Sequence, residues 1–246
     1  MSIKDKVAVV TGGGSGIGRA CSIQLAREGA SVAVWDLNAK NAAETVRSIQ
    51  SEGGKAAAYV GDATDPSVIS ETLAAIRAEF GPVLILVNNA GISHFKTFLE
   101  VTREDLESIY RINVFGPFLL TQATVPDMLT AGWGRIIFIS SSSAQTGTAL
   151  QAHYASSKGG IISLSRSLAQ AFADQGITVN NVSPGFIDTP MMRAAPVDSD
   201  VIAQTSPMKR AGLPEELAAA VSFLASTQAS YVTGQTIGVN GGRVPS

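Results

Sequence analysis

A glycine-rich loop between a strand and a helix is the feature that most restricts the fold of this chain. Residues 6–11 are a short valine-rich run that predicts a buried strand, and Gly-Gly-Gly-Ser-Gly-Ile-Gly follows it at 12–18. A helical pattern then continues to Gly29. Glycine lets the backbone approach a ligand closely, and the free N–H groups at a helix start favour a pyrophosphate. The spacing therefore predicts a dinucleotide site, with a flexible turn as the alternative.

The rest of the chain alternates apolar runs with helical patterns. The predicted strands are 6–11, 31–36, 55–60, 83–87, 134–139, 176–182 and 236–240, and six helices separate them. With 45% hydrophobic residues and no linker or repeat, this predicts one α/β domain, residues 1–246. We expect a Rossmann-like, doubly wound, seven-stranded parallel sheet with helices on both faces. An irregular, proline-containing stretch at 188–213 is the predicted substrate lid.

Charge and cysteine content argue against several classes of function. The net charge is −2 and no basic run occurs, which argues against a nucleic-acid surface. Cys21 is the single cysteine and lies in a predicted helix, so we expect a buried structural thiol; two histidines give little for a metal site. No apolar run has the length of a membrane span, and the first residues lack a signal-peptide pattern. We therefore expect a cytoplasmic protein with no metal and no membrane contact.

An acidic residue ends the second predicted strand. Asp36 stands 20 residues after Gly16, where a carboxylate accepts hydrogen bonds from the adenosine ribose. A 2′-phosphate there would meet like charge, and residues 12–18 and 37–39 contain no Arg or Lys to offset it. We therefore expect NAD(H) in preference to NADP(H). The alternative is that Asp36 caps the helix that follows.

Tyr154 and Lys158 are four residues apart at the start of an apolar-striped helical segment, so they share a helix face. A tyrosine pKa of about 10 must fall by about 3 units, or about 4 kcal/mol, to exchange protons near neutrality. A positive charge about 4 Å away, at an effective dielectric of about 20, supplies about that much. The pair therefore predicts an acid/base site, although an exposed Tyr and Lys is the commoner origin of this spacing taken alone.

Polar residues follow two further strands, and an asparagine interrupts a helix. Asn88-Asn89-Ala90-Gly91 follows the fourth strand, and four serines at 140–143 follow the fifth. Small and amide residues at strand ends suit the crevice where cofactors bind. Asn113 lies in a helical pattern, and Pro117 removes a nearby N–H donor, which predicts a kink with a freed carbonyl that could hold a water molecule.

Together these segments resemble the short-chain dehydrogenase/reductase family over residues 11–242. The glycine motif, the Asn88–Gly91 motif and Pro184-Gly185 with Thr189 carry the resemblance, and the family's catalytic tetrad falls on Asn113, Ser141, Tyr154 and Lys158. The resemblance implies hydride transfer between a nicotinamide and a carbonyl or secondary alcohol, with Tyr154 as acid/base. It also implies that Lys158 lowers the tyrosine pKa and binds the nicotinamide ribose. Ser141 would hold the substrate oxygen, and Asn113 a water that links Lys158 to solvent.

The resemblance further implies a cofactor site along the strand ends. Its residues are Gly12, Ser15, Gly16, Ile17, Gly18, Asp36, Leu37, Asp62, Ala63, Asn89, Ala90, Gly91, Tyr154, Lys158, Pro184, Gly185, Ile187 and Thr189. For the substrate pocket we expect Ser141, Ser143, Gln151, Tyr154 and Phe186. We expect His153 to pack or face solvent and not to tune its neighbour Tyr154.

Three functions remain open from the sequence. The first is an NAD(H)-dependent oxidoreductase that interconverts a secondary alcohol and its ketone. The second is reduction of a 3-oxoacyl thioester on an acyl-carrier protein, against which Asp36 and the low charge around the lid both count. The third is a dinucleotide-binding scaffold or sensor without catalysis, against which the intact tetrad argues. Membership of the family would also make a homotetramer the expected assembly.

Overall fold

A seven-stranded, all-parallel sheet runs through the centre of the molecule in the order β3-β2-β1-β4-β5-β6-β7. Its strands are β1 Val7–Thr11, β2 Ser31–Asp36, β3 Lys55–Val60, β4 Val83–Asn88, β5 Gly134–Ile139, β6 Ile177–Pro184 and β7 Thr236–Val239. The computed structural model describes residues 3–196, 198 and 204–244. Every predicted strand is present with bounds shifted by at most two residues, and the predicted fold class is confirmed.

Helices connect the strands and cover both faces of the sheet. The helices of the described residues are α1 Gly16–Arg27, α2 Ala39–Ser51, α3 Pro66–Phe80, α4 Arg103–Tyr110, α5 Gly116–Ala131, α6 Ser143–Thr146, α7 Ala152–Phe172, α8 Pro190–Arg193 and α9 Pro214–Ala225. Short 3-10 turns lie at Phe98–Glu100, Ala173–Gln175 and Thr227–Ala229. Several helices begin where the sequence contains N-terminal signals. Thr102 forms a capping box with Asp105, and Asp65 caps α3 ahead of Pro66.

The hydrophobic core is divided by the sheet into two layers. Helices α1, α2 and α9 pack on one face, and α3, α5 and α7 pack on the other. Successive β1 residues alternate between the layers, because side chains of a strand point to opposite faces. Cys21 is fully buried on α1, and burial raises the pKa of its thiol to about 12, as expected for a structural cysteine. Within the described ranges, no helix combines the length and apolarity needed to cross a bilayer.

The predicted kink at Asn113 takes the form of a π-helical turn, Arg111–Phe115, between α4 and α5. Pro117 lies at the start of α5 and has no N–H to donate to the turn before it. A π turn in an α-helix is frequent at functional sites, because it shifts a side chain out of the regular register. Asn113 is almost fully buried and accepts a hydrogen bond from Ile92 N, in the loop that follows β4.

The sheet order reverses direction between β1 and β4, and ligands of doubly wound sheets bind outside such a switch point. The glycine loop leaves β1 at this point, and Asn88–Gly91 leaves β4 beside it. The described part of the segment predicted as a lid, 188–213, lies at the same edge. Within it the structure describes helix α8 and an ion pair of 2.6 Å between Arg193 and Asp188, whereas residues 197 and 199–203 lie outside the described residues.

Candidate active site

The glycine loop has the backbone conformation that a phosphate-binding loop requires. Gly12 and Gly16 have φ of 62° and 48°, in the left-handed region that other residues rarely adopt. A Cβ on Gly18 would lie 2.0 Å from the carbonyl oxygen of Gly12, so only glycine allows α1 to pack against the loop. Ser15 precedes α1 without capping it through its side chain. The N–H groups of the first turn of α1 therefore suit an anion, and the loop fits a dinucleotide pyrophosphate.

Asp36 lies beside this loop and holds it in place. Its Oδ2 accepts a hydrogen bond from Gly14 N at 2.9 Å, and its Oδ1 accepts one from Asn38 N at 2.8 Å. Asn38, whose side chain accepts from Asn41 N, is the residue that caps α2. The alternative in which Asp36 is the helix cap is therefore wrong, and the carboxylate sits next to the phosphate-binding loop.

Thr11 joins the two loops at the switch point. Its Oγ1 accepts hydrogen bonds from Asn89 N and Ala90 N, each at 3.1 Å. Asn89 Nδ2 donates in return to Thr11 O at 2.9 Å. These bonds tie the end of β1 to the end of β4 and set the width of the crevice between them. The sequence analysis placed Thr11 at the end of the first strand but did not assign it this role.

Of the four serines after β5, Ser141 alone combines cleft exposure with a contact to Tyr154. Ser140 Oγ donates to Val182 O within the sheet, at 3.2 Å, and Ser142 N donates to Pro184 O at 2.9 Å. Ser141 Oγ accepts from Ser143 N at 3.1 Å and also forms a hydrogen bond with the Tyr154 side chain. The structure thus brings Ser141 and Tyr154 together, as predicted.

Burial is the largest cause of the pKa shifts of both Tyr154 and Lys158. Burial raises the pKa of Tyr154 above its usual value, and the hydrogen bond with Ser141 opposes that shift. Lys158 Nζ lies 5.9 Å from the centroid of the Tyr154 ring and donates to Ile139 O at 2.9 Å. Burial and Ser141 account for the shift of the tyrosine pKa, and the expectation that Lys158 lowers it stays a prediction. Tyr154 is a protonated phenol at neutral pH, which suits it to donate a proton.

Lys158 is itself perturbed by its surroundings. The residue is 5% exposed, and burial lowers the pKa of its ammonium from 10.5 to about 8. No carboxylate within the described part of the chain forms an ion pair with it. A buried lysine whose pKa lies this close to neutral pH is typical of functional sites. Burying the unpaired ammonium opposes folding, so such a residue is found mainly where its chemistry is used.

The Asn113 side chain has a structural task, while the water-holding role that the resemblance implies stays a prediction. Its Oδ1 accepts from Ile92 N at 2.9 Å, and its Nδ2 donates to Ile92 O at 3.0 Å and to Ser157 Oγ at 3.1 Å. The side chain therefore fastens the loop after β4 to helix α7. A Cβ on Gly91 would lie 3.1 Å from Asn113 Oδ1 and 3.3 Å from Lys158 Nζ, so all three groups are packed together. Asn113 thus positions the wall of the cleft.

Ser141, Tyr154 and Lys158 share one cleft of about 960 Å³ with the glycine loop, and Asn113 is not among its lining residues. The predicted cofactor residues that line it are Gly12, Ser15, Gly16, Ile17, Asn89, Ala90, Gly91, Tyr154, Lys158, Pro184, Gly185, Ile187 and Thr189. The predicted substrate residues that line it are Ser141, Ser143, Gln151, Tyr154 and Phe186. A continuous cleft from the glycine loop to these side chains leaves room for a dinucleotide and a second molecule.

Five predicted cofactor residues do not line the cleft: Gly18, Asp36, Leu37, Asp62 and Ala63. Gly18 packs behind the loop, as described above. Leu37 is 70% exposed, so this end of the predicted site is open surface. The Asp62 carboxylate already accepts from Arg111 Nη1 at 2.9 Å and from Thr64 Oγ1 at 2.7 Å, which competes with the expected adenine contact.

Sequence reasoning missed two charged features of the cleft. Lys96 and Asp105 line it as an ion pair of 2.6 Å, and Arg243 lines it with its guanidinium stacked on Phe186, 4.3 Å from the ring centroid. The sequence around these residues contains no motif that predicts a place in the cleft, because the folding of distant segments brings them there. His153 is buried and does not line the cleft, and burial lowers its pKa. It therefore packs and does not face solvent, and the expectation that it does not tune Tyr154 stays a prediction.

Comparisons with known proteins agree on the family. The model of a protein family described as enoyl-(acyl carrier protein) reductase matches residues 12–243. The 3-oxoacyl-[acyl-carrier-protein] reductase FabG of Thermotoga maritima is 38% identical over 99% of this chain and 100% of its own length. A (3R)-3-hydroxyacyl-CoA dehydrogenase of Mus musculus is 38% identical, covering 98% of this chain and 97% of its own. A solved structure of an NAD(P)-dependent gluconate 5-dehydrogenase from Beutenbergia cavernae, with NADP at low occupancy, is 35% identical to this chain. The two structures match with a TM-score of 0.91 over 98% of this chain and 97% of the other.

Proposed function

Since this chain belongs to the short-chain dehydrogenase/reductase family, we propose that it is an oxidoreductase that reduces the 3-oxo group of an acyl thioester. The observation that carries this proposal is the convergence of Ser141, Tyr154 and Lys158 in one cleft with the glycine loop. The names of the FabG and mouse relatives both place the reacting oxygen on carbon 3 of an acyl thioester. These relatives favour the function that the sequence analysis ranked second over a general alcohol dehydrogenase.

The protein's part in the reaction is proton transfer at the carbonyl oxygen. When bound, the nicotinamide dinucleotide supplies the hydride for reduction or accepts it for oxidation. Tyr154 Oη, which is protonated near neutral pH even at its ordinary pKa of about 10, gives its proton to the carbonyl oxygen of the substrate. Ser141 Oγ donates a hydrogen bond to the same oxygen and holds it within reach of the phenol. The Lys158 ammonium on the same helix favours the tyrosinate that remains.

We further propose that this chain uses NAD(H) in preference to NADP(H). The carboxylate of Asp36, fixed by Gly14 and Asn38, would accept hydrogen bonds from the adenosine ribose, while the glycine loop holds the pyrophosphate. A 2′-phosphate at that place would meet the Asp36 charge. The NADP in the gluconate 5-dehydrogenase structure is the finding that argues against this preference.

The acyl carrier of the thioester is proposed to be a small molecule such as coenzyme A. Three basic side chains around the cleft are already paired: Arg193 with Asp188, Arg210 with Glu216 and Lys96 with Asp105. Docking of an acidic carrier protein gains from unpaired positive charge, because charge complementarity guides association. Pairing removes much of that charge from the rim. We therefore expect a coenzyme A thioester to be used at least as well as the carrier-bound form.

The test is a substrate panel with the purified protein, assayed with NADH and NADPH. The panel contains acetoacetyl-coenzyme A, acetoacetyl-acyl-carrier protein, acetoacetyl-N-acetylcysteamine and simple ketones such as cyclohexanone. We expect all thioesters to be reduced faster than the ketones, and NADH to be preferred. Equal rates with thioesters and simple ketones would favour a general secondary-alcohol dehydrogenase. No nicotinamide oxidation with any member would favour a scaffold or sensor.

A further inference from the structure

We propose that Arg243 is a specificity-determining residue that binds an anionic oxygen group, a carboxylate or a phosphate, on the substrate. This inference rests on the proposed function only in placing the substrate at Ser141 and Tyr154. It adds the chemical class of a second, non-reacting part of the substrate. No sequence motif includes Arg243, and the tetrad does not need it.

The position of Arg243 makes such a contact possible. The residue lies in the loop after β7, where its N–H donates to Asn240 O at 3.2 Å, and its side chain reaches the cleft. Its guanidinium carbon is 4.3 Å from the centroid of the Phe186 ring. Stacking on an aromatic ring holds a guanidinium by its face and leaves the N–H donors at its edge available for a planar anion.

The charge of Arg243 is not compensated by the described part of the protein. No carboxylate there lies within ion-pair distance of its guanidinium, whereas Arg193 and Arg210 nearby each have a carboxylate at 2.6 Å. Arg243 is also partly removed from water, and burial lowers its pKa. Partial burial of an unpaired guanidinium costs free energy, which a bound anion would offset.

The balance of charge in the cleft points the same way. The charged residues that line it are Lys96, Lys158 and Arg243 against Asp105 alone, in a chain whose net charge is −2. Lys96 is neutralised by Asp105, and Lys158 belongs to the reacting centre. Arg243 is thus the cation in the described lining that has neither a partner nor a catalytic task.

The distance from the reacting centre limits the substrate. Ser141 follows β5 and Arg243 follows β7, and β6 lies between them. Two strand spacings amount to about 10 Å, and the arginine side chain shortens the gap. A carboxylate a few bonds from the reacting carbonyl fits this span, as in a short oxo acid. The phosphates of a coenzyme A arm are the other source of the same chemistry.

The experiment compares Arg243→Met and Arg243→Lys with the wild-type protein. Methionine keeps an apolar contact with Phe186, and lysine keeps the charge without the planar fork. Arg47→Met, on the exposed face of α2, controls for the loss of one positive charge. The substrates are acetoacetate, acetoacetyl-coenzyme A and the neutral acetoacetyl-N-acetylcysteamine, measured as kcat and KM with saturating dinucleotide.

We expect wild type to prefer an anionic substrate over the neutral thioester, and Arg243→Met to lower kcat/KM for that substrate by about tenfold to a hundredfold. The loss should appear mainly as a higher KM with little change in kcat, because the contact is remote from the reacting atoms. A loss with acetoacetate identifies a carboxylate, and a loss with the coenzyme A ester alone identifies a phosphate. The inference is overturned if no anionic substrate is preferred, or if Arg243→Met lowers all three rates equally.

The neutral thioester separates this inference from the proposed function. If wild type reduces acetoacetyl-N-acetylcysteamine and Arg243→Met reduces it equally well, the proposed function stands whatever Arg243 does. If only acetoacetate is reduced and the Met variant loses that activity, the role of Arg243 stands and the thioester function fails.

Discussion

The burial of Lys158 predicts that the protein becomes more stable when this residue is replaced. Lys158 is almost fully buried without a carboxylate partner in the described structure, and burial lowers its pKa from 10.5 to about 8. A charged ammonium in that position opposes folding. We therefore expect Lys158→Met, which keeps a similar side-chain length, to stabilise the fold while abolishing turnover.

The magnitude follows from the pKa. A depression of about 2.5 units corresponds to about 3 kcal/mol of destabilisation when the lysine is charged. Methionine loses the hydrogen bond to Ile139 O, which contributes about 1 kcal/mol. Near pH 7 the variant should therefore be more stable than wild type by about 2 kcal/mol. Between about pH 8 and 10.5 the unfolded state binds more protons than the folded state, so wild-type stability rises with pH and the difference shrinks.

The assay is urea unfolding of both proteins at pH 7 and at pH 9.5, at one protein concentration. Lys40→Met, which removes an exposed lysine near the start of α2, is the control and should change stability by less than about 0.5 kcal/mol. A Lys158→Met protein that is less stable than wild type at pH 7 would refute the reasoning. So would a difference that stays constant as the pH rises.

Three other substitutions test separate parts of the account. Asp36→Ala should raise the ratio of NADP(H) to NAD(H) use by about tenfold, measured as kcat/KM, and an unchanged ratio would remove Asp36 from cofactor selection. Ser141→Ala should lower kcat by about a hundredfold while Ser140→Ala has a small effect, and equal effects would contradict the assignment of Ser141. Gly18→Ala should weaken dinucleotide binding and lower the melting temperature, because its Cβ would overlap the loop, whereas Gly160→Ala has free space and should be tolerated.

Much of the fold was predictable because its signals are local. Each strand is a short apolar run, and Asp65, Thr102 and Pro214 mark helix starts through hydrogen bonds and backbone angles within a few residues. The kink near Asn113 was predictable for the same reason, since Pro117 acts on the turn directly before it. The prediction did not extend to what the Asn113 side chain contacts, because Ile92 lies 21 residues away.

The electrostatics of the site could not be predicted, because they depend on contacts between distant segments. The spacing of Tyr154 and Lys158 correctly predicted that they lie on one face of a helix. The Lys158 ammonium, however, donates to the backbone oxygen of Ile139 in β5. Burial of the tyrosine is likewise a property of the assembled cleft. Arg243 is the extreme case, since its stacking on Phe186 joins residues 57 positions apart with no pattern in either neighbourhood.

The most direct test of the account is the reduction of acetoacetyl-N-acetylcysteamine by Tyr154→Phe. Phenylalanine keeps the ring and removes the proton donor. We expect the rate to fall by about a thousandfold, while the dissociation constant of NADH, measured by fluorescence titration, changes by less than about twofold. A variant that binds NADH normally and keeps a rate within about tenfold of wild type would contradict the assignment of Tyr154 as the proton donor.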